Sequence, residues 1–403
     1  MRYPVGAIVV GALAAMVVAT ILAGGIARLG RDTRQESARY GCIDGLRGYL
    51  ALCVMVHHFV IWLQITRLGG TWSAPRIALF NQLGGGMVAL FFMVTGFLFY
   101  PRVLKGFAGN DWGSVLISRV MRIVPLTFAS FIVVSIISAA RVDHASFDRS
   151  YLRAALLWVS SASEPPLFGY RDSKLVNADV LWSLRYEWFF YLVILPTTAW
   201  LIDRVRGHGP TWSVPLAVLL SLILIRLIFG DYISLARFTL FFVGMIGYEL
   251  QRREAIVALL RWPGTAVIAA IGLVLAVTIW PSPYDLALPA FALFFFAVSA
   301  GNSFFGIFST PGSVLLGDCS FGIYLLHGIV LNLIFVDGAS LIAPVATDYL
   351  PIVLPLVAIA VVPVTFATYH SIERPGMGAG HRLADRWRQR RSWRMRRSVK
   401  VPS

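Results

Sequence analysis

The sequence predicts an all-α, polytopic membrane helix bundle of about 10–11 transmembrane helices, from apolar segments of spanning length. Three observations carry this. Hydrophobic residues make up 58% of the 403 and charged residues only 14%, against roughly 25% charged in a soluble domain. The mean hydropathy is +0.73. The apolar residues are also gathered into segments of about 20, the length that crosses a hydrocarbon core. Such a chain has too much apolar surface for one aqueous globule and too little charge for a disordered segment. Collagen-like and disulfide-scaffold classes fall away with it. The three cysteines, Cys42, Cys53 and Cys319, follow neither metal-ligand nor redox spacing.

Eleven segments meet the length criterion: 4–27, 47–65, 83–100, 123–140, 182–202, 211–229, 232–250, 264–280, 286–308, 315–336 and 349–370. The first stands where a signal peptide would. Only Arg2 precedes it, whereas Arg28, Arg31 and Arg34 follow it and would resist translocation, so it reads as a retained helix with its N-terminus outside. Proline and glycine within several spans are compatible with membrane helices, where neighbours satisfy the freed backbone groups. Segment 151–161 is apolar but short and reads as an interfacial or loop helix. Gly301-Asn302-Ser303 interrupts segment 286–308, and no internal repeat is visible.

Charge orients the bundle. With the tail 371–403 inside and the spans alternating, 24 of the 35 basic residues fall on the cytoplasmic side and 8 outside; Arg185, Arg226 and Arg237 lie within spans. This threefold bias matches the positive-inside rule. The expected location is therefore a plasma membrane of bacterial type, crossed many times, with the C-terminus cytoplasmic. The net charge of +15 is an orientation signal and not a nucleic-acid footprint. The stretch 381–400, with its arginines and two tryptophans, reads either as a contact for anionic lipid headgroups or as a solvated basic tail.

Ionisable residues inside spans are costly and therefore candidates for function. Asp44-Gly45-Leu46-Arg47-Gly48 opens the second span and His57-His58 follow. Eleven helical steps separate Arg47 from His58, about 20° past a return to the same face and about 16 Å along the axis. A cation at the cytoplasmic rim and an imidazole near mid-membrane thus line one groove, where a long ligand with an anionic head and a reactive end would fit. Imidazole suits proton abstraction from a hydroxyl. His57, about 80° away by the same helical geometry, reads as packing or support. Arg119 and Arg122 share a helix face at the start of the fourth span. They can bind phosphate by paired hydrogen bonds or anchor the helix at the interface. Trp182-Ser183-Leu184-Arg185-Tyr186-Glu187 puts a carboxylate one to two turns into a span. Glu187 could orient a histidine, bind sugar hydroxyls or pair with Arg185, while Trp182 could contact substrate or belong to the interface belt. Tyr324 and His327 lie three residues apart on one face, with a packing or a site role. The glycine-rich run 84–86, continuing to Phe91–Phe97, permits close helix approach. Walker, dinucleotide-binding, HExxH and GxSxG motifs are missing from the sequence, and no metal or resident cofactor is expected.

Taken in order, these motifs resemble the membrane acyltransferase-3 family. Its DGLRG stretch ending in a buried histidine matches Asp44–Gly48 through His58. Its FFxxSGF segment is similar to Phe91–Phe97, with Thr95 for serine. Its arginine pair before a proline matches Arg119, Arg122 and Pro125, and its WSLxxE matches Trp182, Ser183, Leu184 and Glu187. Its SYGIYLLH is similar to Ser320–His327, with Phe321 for tyrosine, and its closing E-R-P matches Glu373-Arg374-Pro375. The resemblance covers about residues 40–376. This leaves 1–39 as an added transmembrane helix with a basic linker and 377–403 as a basic cytoplasmic tail.

The resemblance implies O-acyl transfer from a cytosolic acyl-CoA, with an acetyl or other short acyl group, to a carbohydrate, glycolipid or related cell-envelope hydroxyl. It places the catalytic role on His58, with Glu187 and His327 in the same site. Arg47, Arg119 and Arg122 would hold the donor phosphates, and Trp182 and Tyr324 would contact substrate. The SGNH hydrolase-like domain that some members carry is not expected within these residues. Membrane lipids are the remaining expected partners. A proton-coupled transporter or flippase of an anionic or lipid-linked solute is the alternative that buried His, Glu and Arg also suit.

Overall fold

The structure, a computed structural model, describes residues 3–29, 41–230 and 233–398. The described residues are 78% helical and form no strand, with an isolated bridge between Leu167 and Tyr170. In chain order the helices are α1 (Val5–Leu29), α2 (Gly41–Arg67), α3 (Ala78–Val103), α4 (Trp112–Ala140), α5 (Arg149–Val159) and α6 (Ser173–Val176). Next comes α7 (Trp182–Phe189), joined through a π-turn at Phe190–Ile194 to α8 (Leu195–Val205), and then α9 (Ser213–Phe229) and α10 (Ile233–Leu250). These are followed by α11 (Glu254–Arg261), α12 (Pro263–Ile279), α13 (Leu288–Ser299), α14 (Pro311–Asp318), α15 (Ser320–Asn332) and α16 (Ala339–Ile342). Last are α17 (Val353–Thr368) and, after a π-turn at Tyr369–Glu373, α18 (Arg374–Ser398).

The all-α polytopic bundle is what the structure shows, but the helix count differs from eleven. Among the described residues seven helices are long and apolar enough to cross a membrane, or eight if α11 and α12, bent by 68°, make one span. The expected span 286–308 shortens to the 12-residue α13. The Gly301-Asn302-Ser303 break ends it, with Gly301 at φ +99°, a conformation that suits glycine alone. The expected 315–336 divides at Cys319 into α14 and α15. Within the expected 211–229, α9 is apolar but only 17 residues long, and α10, over the expected 232–250, is not among the seven. Segment 151–161 is the short helix α5. Asp148 caps it by accepting from the Tyr151 N–H at 3.0 Å, which satisfies one of the first-turn donors.

Two compact units make up the chain. The first comprises residues 1–100, 175–180 and 215–365. Within it α2 packs closely on α14, because glycine stands where the backbones meet: a Cβ on Gly317 would lie 1.9 Å from the Asp44 carbonyl oxygen. Helix α1 turns a stripe of small residues inward, Gly11, Ala12, Ala15, Ala19 and Ala23. Val10, Leu13, Val17 and Ile21 face outward. Small residues let membrane helices approach closely where no hydrophobic drive separates protein from lipid. A polar chain from Thr20 to Tyr49 (2.9 Å) and Ser313 (3.2 Å) ties α1, α2 and α14 together.

The second unit comprises residues 101–174, 181–214 and 366–403. The basic tail is not a free chain here. It continues the last span as one helix, Leu350–Arg390 by the apolar-span criterion. At 1.5 Å per residue that is about 60 Å, twice the hydrocarbon thickness. Its basic end runs antiparallel along the start of α4. Arg122 donates to the Met377 sulfur (3.0 Å), Ser114 to the Ala384 carbonyl (3.2 Å) and the Trp387 indole to Asp111 (3.1 Å). This explains why α4 begins at Trp112, well before the expected 123. Its first turns are polar but have a partner helix to lie on. Residues 399–403 lie outside the described residues.

Candidate active site

Helix α2 is continuous from Gly41 to Arg67, so Arg47 and His58 keep the eleven-residue spacing read from the sequence. Arg47 pairs with Asp44 one turn earlier at 3.6 Å. The buried imidazoles of His58, on α2, and His327, on α15, meet at 3.0 Å from Nδ1 to Nε2. Residues 269 apart in sequence thus share one hydrogen bond.

The neighbours decide where the protons are. A carbonyl can only accept, so any ring nitrogen hydrogen-bonded to one must carry a hydrogen. His327 Nδ1 lies 2.8 Å from the Ile323 carbonyl and His58 Nδ1 lies 3.0 Å from the Val54 carbonyl, each one turn back on its own helix. In the neutral pair, Nδ1–H of His327 therefore donates to Ile323, and its Nε2 lone pair accepts from Nδ1–H of His58. The lone pair left over is on His58 Nε2. This assignment is inferred from the network of partners.

The pair is enclosed by aromatic and backbone groups. Trp72 stacks on His58, with ring centroids 6.1 Å apart and planes 19° from parallel, and meets Trp62 edge-on at 5.4 Å. Tyr324 donates to the Val180 carbonyl at 3.1 Å, which holds its ring 6.3 Å from His327 and 6.2 Å from Phe91. His57 lies edge-on to His58, with ring centroids 5.0 Å apart, and donates through Nδ1 to the Phe80 carbonyl at 2.7 Å. Gly84 makes room for it: a Cβ there would lie 2.7 Å from the imidazole.

In the second unit, Arg119 lies 5.8 Å over the Tyr191 ring, a cation–π arrangement. The Tyr191 hydroxyl donates to Glu187 at 3.4 Å. Arg119, Tyr191 and Glu187 so form a row, and Tyr191 itself lies in the π-turn at Phe190–Ile194. Such turns recur at functional sites. Trp182 packs edge-on against Tyr186 at 6.0 Å. The structure therefore groups the expected residues His58, His327 and Tyr324 within one unit, and Arg119 with Glu187 through Tyr191 within the other. Trp72 was not legible in the sequence, because it lies in a polar loop with no periodicity, and no pattern marks Tyr191 as the bridge.

A family model described as an acyltransferase domain, that of the acyltransferase-3 family, matches residues 40–370. No curated protein matches the chain. No solved structure matches it either. With most of its length, including both histidines, both arginine positions and Glu187, inside the matched region, the chain belongs to the acyltransferase-3 family and is a membrane acyltransferase.

Proposed function

We propose that this membrane acyltransferase moves an acetyl or other short acyl group from acyl-CoA to a hydroxyl of a carbohydrate, glycolipid or related cell-envelope acceptor. The observation that carries the chemistry is the ordered His58–His327 pair, which leaves a lone pair on His58 Nε2. Two routes start from that atom. As general base, His58 takes the acceptor hydroxyl proton while the oxygen attacks the thioester carbonyl. The carbon–sulfur bond then breaks, and the proton passes to the departing CoA thiolate. As transient carrier, Nε2 attacks the thioester carbonyl and CoA leaves as the thiolate; the acceptor oxygen then displaces the imidazole, and the hydroxyl proton passes to that thiolate. In either route His58 passes through a cationic ring whose Nδ1–H points at His327, which spreads the charge.

On this reading Arg47, Arg119 and Arg122 bind the phosphates of acyl-CoA, using the charge-assisted hydrogen bonds that guanidinium makes with phosphate. Glu187 and Trp182 act toward the acceptor, and Tyr324 lines the site beside His327. A thioester is an activated donor, so transfer to a hydroxyl runs downhill and the protein's contribution is to align reactants and exclude water.

The deciding experiment supplies radiolabelled acetyl-CoA to membranes carrying the wild type or His58→Ala and follows label into the lipid and glycan fractions. Transfer lost in the variant supports the assignment. Unchanged transfer sinks it, and solute flux without any acyl-CoA requirement would favour a transporter. Mass comparison of lipid extracts from a deletion strain and its parent identifies acceptor and acyl group together.

A further inference from the structure

Residues 3–29 lie outside the matched region, yet Tyr3, two residues ahead of α1, reaches the supports of both α2 histidines. The chain leaves α2 at Arg67 and folds back. Leu68 and Gly70 donate their N–H groups to the Gln64 carbonyl at 3.1 and 3.0 Å. His58 lies nine residues before Arg67, about 13 Å of helix, which the five residues to Trp72 can retrace at up to about 3.3 Å each. Trp72 so arrives over the His58 ring. The buried Gln64 side chain holds it there, because its amide nitrogen donates to the Thr71 carbonyl (3.1 Å) and to the Ser73 hydroxyl (3.0 Å), on either side of Trp72.

The remaining group of that amide, its oxygen, accepts from the Tyr3 hydroxyl. Tyr3 also packs its ring 6.3 Å from Phe80, whose carbonyl accepts from His57. We propose that Tyr3 is a positioning residue for His58. It orients the Gln64 amide, Gln64 clamps the loop around Trp72, and Trp72 fixes and shields the imidazole. The segment that leads into α1 is thereby a working part of the site. This rests on His58 as the reacting group.

The test uses the full-length protein in its membranes with two readouts, kcat and KM for acetyl-CoA and the rate at which diethyl pyrocarbonate modifies His58, followed by mass spectrometry. Tyr3→Phe keeps the ring and removes one part-buried hydrogen bond. It is expected to lower kcat about tenfold, leave KM for acetyl-CoA unchanged and raise the modification rate by a similar factor. In the Trp72→Ala background, Tyr3→Phe should add nothing, because the two act in series. Ser73→Ala, a milder change, should move both readouts the same way by a few-fold. Leu13→Ala, on the outward face of α1, should move neither. Wild-type behaviour of both Tyr3→Phe and Ser73→Ala overturns the proposal, as does a full Tyr3→Phe effect persisting without Trp72. If His58→Ala keeps its turnover, the catalytic reading is what fails, and the modification rates still decide whether Tyr3 acts through Trp72.

Discussion

Replacing His327 by alanine should slow the enzyme without changing the tautomer of His58. The substitution removes the Nε2 lone pair that accepts from His58 at 3.0 Å. The Val54 carbonyl, also 3.0 Å from His58 Nδ1, still keeps the hydrogen on that nitrogen, so the reacting lone pair on Nε2 survives. The loss falls on the charged state. Once His58 takes up a proton or an acyl group, its Nδ1–H becomes a cationic donor, and a hydrogen bond to a charged group contributes about 1.5–3 kcal/mol. At about 1.36 kcal/mol per decade, kcat should fall about 10- to 150-fold, with KM for acetyl-CoA unchanged. His327 is fully buried, so alanine also leaves a cavity. His327→Gln separates the two effects, because its side-chain oxygen can accept in place of Nε2 and should restore about tenfold of the loss. Transfer of labelled acetyl groups in membranes, compared for wild type, alanine and glutamine, measures this. An alanine variant within twofold of wild type would refute the charge-spreading role. A well-folded glutamine variant no better than alanine would refute it as well.

Three further outcomes are expected. Gly84→Ala sets a Cβ 2.7 Å from His57 and Gly317→Ala one 1.9 Å from the Asp44 carbonyl, whereas Gly85 has open space around it. Thermal denaturation in detergent should show the first two destabilised by about 1–3 kcal/mol or more, and Gly85→Ala unchanged or up to about 1 kcal/mol more stable. Equal effects at all three would contradict the packing described. Arg119→Ala and Arg122→Ala should each weaken acetyl-CoA binding about tenfold or more, the value of one charge-assisted hydrogen bond; unchanged calorimetric affinity would leave them as interfacial anchors. The bond from the Tyr151 N–H, and then the Ser150 hydroxyl, hold the Asp148 carboxyl below its ordinary value of 3.8. A folded-state pKa that is depressed means the cap on α5 is complete above that value and is lost as pH falls through the folded one. Amide exchange over 149–159 should therefore quicken only in acid, and Asp148→Ala should be fast at every pH; acid-insensitive exchange in the wild type would show that the cap contributes nothing.

Hydropathy and period were enough to show the class of fold, because a span must satisfy its own backbone and face lipid along about 20 residues. They were also enough to place Arg47 and His58 on one face, since α2 is a regular helix and its spacing is its geometry. They did not show how many helices stand alone. Fusion of the last span with the basic tail depends on α4 lying alongside it, through Met377, Ala384 and Trp387. The division at Cys319 and the bend between α11 and α12 likewise follow from packing that periodicity does not record.

The candidate site divides along the same line. The reactive residue types and their order along the chain are local properties, written in the sequence as DGLRG, the His pair, WSLRYE and SFGIYLLH. The Val54 carbonyl, one turn back on the same helix, already leaves the His58 lone pair on Nε2, but the partner at Nδ1 is not local: it depends on α15 bringing His327 to within 3.0 Å of His58. The contacts of Trp72 and Tyr3 depend on a loop folding back over Gln64. Hydrogen-bond direction and ring stacking act over a few ångströms between residues far apart in sequence, so only the tertiary structure decided them.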